Sequence, residues 1–466
     1  MKGALDRRSF LRISALTGAF MGIPSLGMAG RTPSVEEVID RMGQIPASRG
    51  KSVIGLRVPP MKQVKVGVIG LGMRGDGMTM LVNALCPDKA EITAICDLRA
   101  PLADAMYEKL KKSGRNPAVY KGSPDAWKEL VKRDDIDLVL IFTDWDTHVP
   151  MAVEAMRQGK HVAIEVPPAF TLDGCWEMVN TAEETQKNCM ILENCCYGNE
   201  ELWILNMVKE GVFGDLTYAE AAYIHDLRSM LFDDSYYNKW RIRHHQKRDG
   251  NLYTTHGLGP VAQYMDIDRG DRFEYMVSMS SPQVSLTEFS KKVKPDNEFY
   301  NRSDFKHGDM NTSLIKTAKG RMIQLYHDVV TPRPYSRKNC LAGHKAFHEG
   351  YPSRLAIDGM NSHSWLPEAQ YKEFRQKFNH PIWDKLKEEI KRYGGHGGMD
   401  FVEIYRMIDN LNRGVQLDMD VYDAASWSVV GPLSEVSVEL GAVPVKFPDF
   451  TRGAWKEPRK LQILVD

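Results

Sequence analysis

The chain carries no excess of charge: 61 Lys and Arg stand against 61 Asp and Glu in 466 residues. A formal charge of zero provides no basic footprint, so nucleic acid is not an expected partner. No apolar run reaches the ~18–20 residues that a bilayer-spanning helix needs, so an integral membrane protein is not expected either. Cysteine is scarce, seven residues and an odd number. That is far from the density of a disulfide scaffold. No repeat or low-complexity tract is evident. What is present is ordinary globular composition, 43% hydrophobic and 26% charged, which argues against disorder and fibres. The length suggests two or three domains.

Residues 1–30 read as an export signal. Arg7-Arg8-Ser9-Phe10-Leu11 precedes a mildly apolar stretch from Ile13 to Ala29, interrupted by Gly18, Gly22, Pro24 and Gly27. A basic start, a weak apolar middle and the small-x-small end Gly27-Met28-Ala29 fit a secretory leader. The paired arginines resemble the twin-arginine type, so a periplasmic destination is expected. Residues 31–61 read as an arm broken by Pro33, Pro46, Pro59 and Pro60. The cysteines, including the neighbours Cys195 and Cys196, read mostly as buried, inert thiols.

An α/β organisation follows, with a Rossmann dinucleotide-binding domain over 62–192. Val64-Lys65-Val66-Gly67-Val68-Ile69 is a β-branched run that leads into Gly70-Leu71-Gly72-Met73-Arg74-Gly75 and then a helix from Met78 to Ala84. Strand, glycine turn and helix are the context a GxGxxG pattern requires. The turn and the helix N-terminus suit a pyrophosphate. The next strand, Ala90 to Cys96, ends in Asp97, 22 positions after Gly75. An acid there accepts from both ribose hydroxyls and repels a 2′-phosphate, so NAD is favoured over NADP. Later strands end at Trp145-Asp146-Thr147-His148, Glu165-Val166 and Glu193-Asn194. Ligands bind beyond the carboxyl ends of such strands, so these segments should ring one crevice. Pro150 is expected to open a helix, and Thr171 to cap another.

Beyond residue 193 the pattern changes to an α+β domain with an open, mostly antiparallel sheet, expected over 193–466. Strand-like runs occur at Leu216–Ile224, Arg272–Met279, Thr312–Lys316 and Met322–His327. This half is dense in rings with polar tips: Tyr223-Ile224-His225-Asp226, Trp240-Arg241, Tyr253-Thr254-Thr255-His256, His327-Asp328 and Tyr335-Ser336-Arg337. Such tips donate to and accept from hydroxyls, and the set reads as a site for a polyhydroxylated ligand. The histidine pairs lack the i, i+4 spacing of a helical zinc motif, so no metal is expected. His244-His245 with Lys247-Arg248 is expected on a solvated surface. His396, in Gly394-Gly395-His396-Gly397-Gly398, has no assigned role. The open sheet could mediate a homo-oligomer, though no sequence feature selects one.

The first half resembles the glucose–fructose oxidoreductase/inositol dehydrogenase family. The chain from about 62 to 450 resembles its glycosidase branch, glycoside hydrolase family 109, the NAD-dependent α-N-acetylgalactosaminidases. The carrying stretches are Gly70–Gly75, Trp145–His148, Glu165-Val166-Pro167, Glu193-Asn194, Tyr223 to Arg228, Tyr253–Pro260, Pro332–Arg337 and Gly395–Asp400. Sugar dehydrogenases of the wider family usually carry Lys between the Glu and Pro of one strand end, and Val166 stands there. The resemblance implies a glycosidase that oxidises sugar C3 transiently, with Tyr223 as the C2 base and His256 serving the C3 hydroxyl. It implies Arg241, Tyr253, Thr254, Thr255 and Tyr335 as further substrate contacts. It implies Gly70, Gly72, Met73, Arg74, Gly75, Asp97, Trp145, Asp146, Thr147, His148, Glu165, Val166 and Asn194 as NAD contacts. His225 is a further candidate. Two departures stand near the substrate residues: a short stretch between Leu231 and Trp240, and Thr254 where Pro is more usual. An exported NAD-dependent sugar dehydrogenase is the alternative, and a non-catalytic binding protein a third reading.

Overall fold

A computed structural model describes residues 35–235, 237–360 and 363–465; the leader expected over 1–30 lies outside them. Six parallel strands form the first sheet: β1 Val64–Ile69, β2 Ala90–Asp97, β3 Ala118–Lys121, β4 Leu138–Ile141, β5 His161–Ile164 and β6 Cys189–Ile191. Their order is β3-β2-β1-β4-β5-β6, reversing direction of growth between β1 and β4. That reversal is where doubly wound sheets open a crevice. The strands are short apolar runs because both faces are covered: β4 and β5 are buried at every residue.

The second sheet holds eight strands: β7 Leu216–Ile224, β8 Phe273–Ser280, β9 Asn311–Thr317, β10 Met322–Asp328, β11 Cys340–Gly343, β12 Ala346–Glu349, β13 Arg354–Ile357 and β14 Val445–Lys446. The order is β13-β12-β11-β7-β10-β9-β8-β14. All neighbours pair antiparallel except β7 and β10, whose parallel register sets Tyr223 beside His327. The mixed, mostly antiparallel sheet of the sequence reading is therefore present.

The helices that shape the site are α1 Val35–Met42, α2 Met73–Ala84, α3 Trp145–Arg157, α4 Leu172–Thr185, α5 Trp240–Lys247, α6 Thr255–Tyr264 and α7 Met399–Arg413. Thr171 caps α4 by accepting from Gly174 N at 3.0 Å. Pro150 does not open α3 but lies inside it. The Asp144 carboxylate accepts from Thr147 N at 3.1 Å, and that cap starts the helix five residues earlier. After α1, the arm runs as a strap. Val53 N donates to the Tyr422 hydroxyl, and Met61 N to the Leu411 carbonyl, both at 3.2 Å.

One apolar core runs continuously beneath both sheets. Tyr223 belongs to a separate, smaller cluster with Leu227, Phe232, Ile242, Phe299 and Phe305. All seven cysteines are free thiols, six of them buried. Burial pushes Cys96, Cys189 and Cys340 up to about 11–12, which is the inert state read from the sequence.

Candidate active site

The glycine turn is shaped for close approach. A Cβ added at Gly75 would lie 1.9 Å from the Gly70 carbonyl oxygen, so no larger residue fits. Asp97, at the end of β2, accepts from Leu71 N and Arg99 N, each at 2.7 Å. It pins the turn and keeps further lone pairs for a ribose. The Gly72 cap of α2 gives the helix no side-chain bond, and Met73 stands half exposed above it. Open helix N–H groups beside a pinned glycine turn fit a pyrophosphate. The residues present therefore suit NAD.

The other strand ends close around this turn. Trp145 Nε1 donates to the Val166 carbonyl at 3.3 Å. His148 lies between the Thr143 and Pro167 carbonyls at 3.1 and 3.0 Å and is buried. It ties the two strand ends together. Thr147 likewise donates within the cap, to Asp144, while the Asp146 side chain is exposed. Arg74 binds Glu165 through Nε and Asp400 through Nη1, the latter at 2.7 Å. Asn194 Nδ2 donates to the other oxygen of Asp400 at 2.6 Å. Asp400, on α7, was not among the expected site residues, yet it binds two of them, Arg74 and Asn194. Burial alone would raise its carboxyl, but His396 and Arg74 hold it well below the usual range. His396 thus gains a place, with Nδ1 2.7 Å from Asp400.

The second domain contributes the rings. Glu193 is fully buried, and its Oε1 lies 2.8 Å from His256 Nδ1 and accepts from Cys195 N at 3.1 Å. Burial pushes this carboxyl up, but His256 and the hydrogen bonds bring it below its ordinary value. A carboxylate on Nδ1 leaves Nε2 as the basic nitrogen. That nitrogen is 3.4 Å from the Tyr253 hydroxyl. Tyr223 lies with its ring 4.5 Å from Tyr253 and 5.3 Å from His256, and its hydroxyl 3.4 Å from His225 Nδ1. Burial, with Arg241 nearby, holds His225 below its ordinary value, so it is neutral near pH 7. The buried Arg241 guanidinium lies 4.4 Å from the Tyr253 ring, 5.4 Å from Trp145 and 5.7 Å from Tyr223. It is a fixed cation inside an aromatic cage.

Tyr335 stands at the rim, its hydroxyl accepting from Arg337 at 2.9 Å. Burial pushes its phenol up to about 12, so it serves as a neutral hydroxyl. Thr254 and Thr255 are both buried. Thr254 donates to the Trp427 carbonyl at 2.6 Å and so anchors the start of α6. Thr255 lies against Glu193. A further correction concerns His244-His245. Both are buried because α5 turns them inward, and His245 packs 4.5 Å from His307, which packs 5.1 Å from His327. Among the described residues, only Glu193, Cys195 and His256 bring three ligand-type atoms within 4.8 Å of one another. Burial keeps the Cys195 thiol protonated, so the group is arranged around the His256 proton. Glu193 was legible as a strand end and Asp400 through its neighbouring glycines, each also within a stretch that carries the family resemblance, and the His245–His307–His327 packing had no signal.

Two family models match. Residues 64–193 match the oxidoreductase family, NAD-binding Rossmann fold, and residues 197–457 match the glycosyl hydrolase 109 C-terminal domain. A glycosyl hydrolase family 109 protein of Shewanella pealeana is 47% identical over 466 residues, 99% of each chain. An alpha-N-acetylgalactosaminidase of Shewanella oneidensis is 45% identical, again over 99% of each. Among solved structures, an NAD binding oxidoreductase from Klebsiella pneumoniae aligns at TM-score 0.62 and 15% identity, covering 83% of this chain and 99% of that one. Levoglucosan dehydrogenase in complex with NADH aligns at 0.61 and 16%, covering 83% and 100%. These two share the fold. The full-length likeness and the matched C-terminal domain decide between hydrolase and dehydrogenase: the chain belongs to glycosyl hydrolase family 109 and is an NAD-binding glycoside hydrolase.

Proposed function

We propose that the chain hydrolyses terminal α-N-acetylgalactosaminides, or closely related hexosaminides, through a temporary ketone at sugar C3. The observation that carries this reading is the 2.8 Å pair of Glu193 with His256, facing Tyr223 across the crevice. The name of the Shewanella oneidensis relative supports the sugar class. Val166, buried at the strand end, offers no amine for dehydrogenase chemistry.

Gly70, Gly72, Gly75 and Asp97 would hold NAD, with Met73, Trp145 and the Arg74–Glu165–Asn194 group around it. When bound, NAD supplies a hydride acceptor for C3 and returns the hydride at the end. His256 Nε2 takes the C3 hydroxyl proton as that carbon is oxidised, and Glu193 balances the imidazolium charge. The C2–H, now α to a carbonyl, is removed by Tyr223. The freed electron pair expels the C1 aglycone and leaves an enone. Water adds at C1, Tyr223 gives the proton back to C2, and His256 reprotonates the C3 oxygen as the ketone is reduced. One water is consumed and no net redox change remains. Arg241, Tyr253 and Tyr335 hold the sugar, and water entering on the face the aglycone left gives retention. This route needs no pair of carboxylates flanking the glycosidic bond.

A redox-neutral cycle never requires the cofactor to leave. That supports export of a folded, loaded protein by the twin-arginine route to the periplasm. The test uses purified protein without added NAD, p-nitrophenyl α-GalNAc and D₂O. Nitrophenol release with deuterium at C2 is expected. NADH accumulation without aglycone release would overturn the glycosidase in favour of a dehydrogenase. In Tyr223→Phe, C2 exchange is expected to vanish while NAD stays bound; unchanged exchange removes Tyr223 from the base role.

A further inference from the structure

The rings of the site continue outward past the residues that hold the cleaved sugar. Tyr223 is buried, Tyr335 is 39% exposed and Tyr351 is 40% exposed. The Tyr335 ring lies 6.4 Å from Tyr223, 5.2 Å from His225 and 6.0 Å from Tyr351. Tyr335 and Tyr351 share one support: the Arg337 guanidinium lies 5.7 Å from the first ring and 5.6 Å from the second. Arg337 is itself buried and fixed by Glu201 at 2.5 Å.

Tyr351 sits there against its own backbone preference. Its φ is +58°, the left-handed region that is rare for bulky residues and costs about 1 kcal/mol or more. The segment is clamped in place: Gly350 N donates to the Lys338 carbonyl at 3.1 Å, and His348 Nδ1 is 2.8 Å from the Asn339 carbonyl. A strained, half-exposed aromatic next to a buried reaction centre is a feature that folding alone would replace with glycine.

We propose that Tyr351, with the exposed edge of Tyr335 beside it, forms a leaving-group subsite that stacks the second sugar ring of a glycan. It rests on the glycosidase reading above and deepens it. A sugar ring has an apolar C–H face and a polar edge. Tyrosine matches both, with rigid ring area and a hydroxyl. Burial pushes both phenols up, so each hydroxyl stays a neutral donor at the rim. The occupant is a pyranose of the aglycone, matched by ring area and hydroxyl edge.

The test compares two substrates, a disaccharide with terminal α-linked GalNAc and methyl α-GalNAc, which has no second ring. Tyr351→Gly removes the ring while glycine accepts the same φ without strain, so the variant should fold. The ratio of kcat/KM for the disaccharide over the methyl glycoside is expected to drop about tenfold, mainly through KM. Tyr351→Phe should restore most of it. A ratio within twofold of wild type in a folded, active Tyr351→Gly enzyme overturns the subsite alone. Wild-type protein that turns over neither glycoside overturns the glycosidase reading, and the subsite with it.

Discussion

Glu193 governs the protonation pattern of the site from a position that no solvent reaches. Its contact with His256 Nδ1 leaves the other nitrogen of the imidazole toward the Tyr253 hydroxyl. Glu193→Gln would keep the size but lose the charge that balances an imidazolium. A fall in kcat of about a hundredfold or more is expected, with little change in bound NAD. A kcat within threefold of wild type would show that His256 works without it. Asp400 acts on the other half of the crevice, through Arg74 and Asn194. Asp400→Asn should loosen both and raise the NAD dissociation constant about tenfold, read as cofactor retained after gel filtration. Full retention would confine Asp400 to packing. Neither role was legible in the chain. Glu193 lies 63 positions before His256 and Asp400 lies 326 after Arg74, so only folding brings each pair together.

At the scale of elements, the glycine turn after β1 and the acid after β2 were readable because they depend on local backbone geometry. So was the switch from alternating strands and helices to runs of strands. The seating of α6 was not. A Cβ at Gly257 would lie 2.4 Å from Ala222 N, so the helix and β7 meet backbone to backbone. That contact brings His256 to the residue next to Ala222, which is Tyr223. Gly257→Ala must push the helix away, and a displacement near 1 Å costs about a hundredfold in rate. The expected result is loss of glycosidase activity with NAD binding kept, since the Rossmann strands are untouched. Full activity would mean that the two residues do not cooperate at this spacing. The inward turn of His244 and His245 belongs here too. Flanking Lys247 and Arg248 make the segment read as surface, but the helix buries both rings.

Over the whole molecule, buried histidines link stability to pH. Burial, first among the causes, holds His161, His307 and His348 at about 4, and His244 at about 3. Their unfolded value is 6.5, so below it the unfolded chain binds protons that the folded chain refuses. This stability is full above pH 6.5 and is lost as pH falls toward 4, by up to about 1.4 kcal/mol per pH unit for each proton. Glu200 and Asp268, pushed up to about 7 by burial, act oppositely: their cost grows as pH rises from the ordinary carboxylate value to 7. His148, His225, His245, His327 and His380 are held low as well, and Asp146, Asp173, Glu403, Asp423 and Glu435 are held high, so the histidines outnumber the carboxyls and acidification leaves a net loss. Tm should decline from pH 6.5 to 4.5, and His348→Gln should flatten the slope. A constant Tm over that range, or an unchanged slope in the variant, would contradict this balance.

The sequence by itself determined the alternation of strands and helices in the first domain, the nucleotide turn and the chemical kinds of side chain available. Each of these depends on neighbours a few residues apart, through steric limits on the backbone and the period of apolar burial. Only the tertiary structure decided which of those side chains share a proton or a charge. Glu193 with His256 and Arg74 with Asp400 come from elements far apart in the chain, and Tyr335 with Tyr351 meet over Arg337 from two loops. The first two pairs exist because the chain folds distant elements together, where removal from water makes each contact strong.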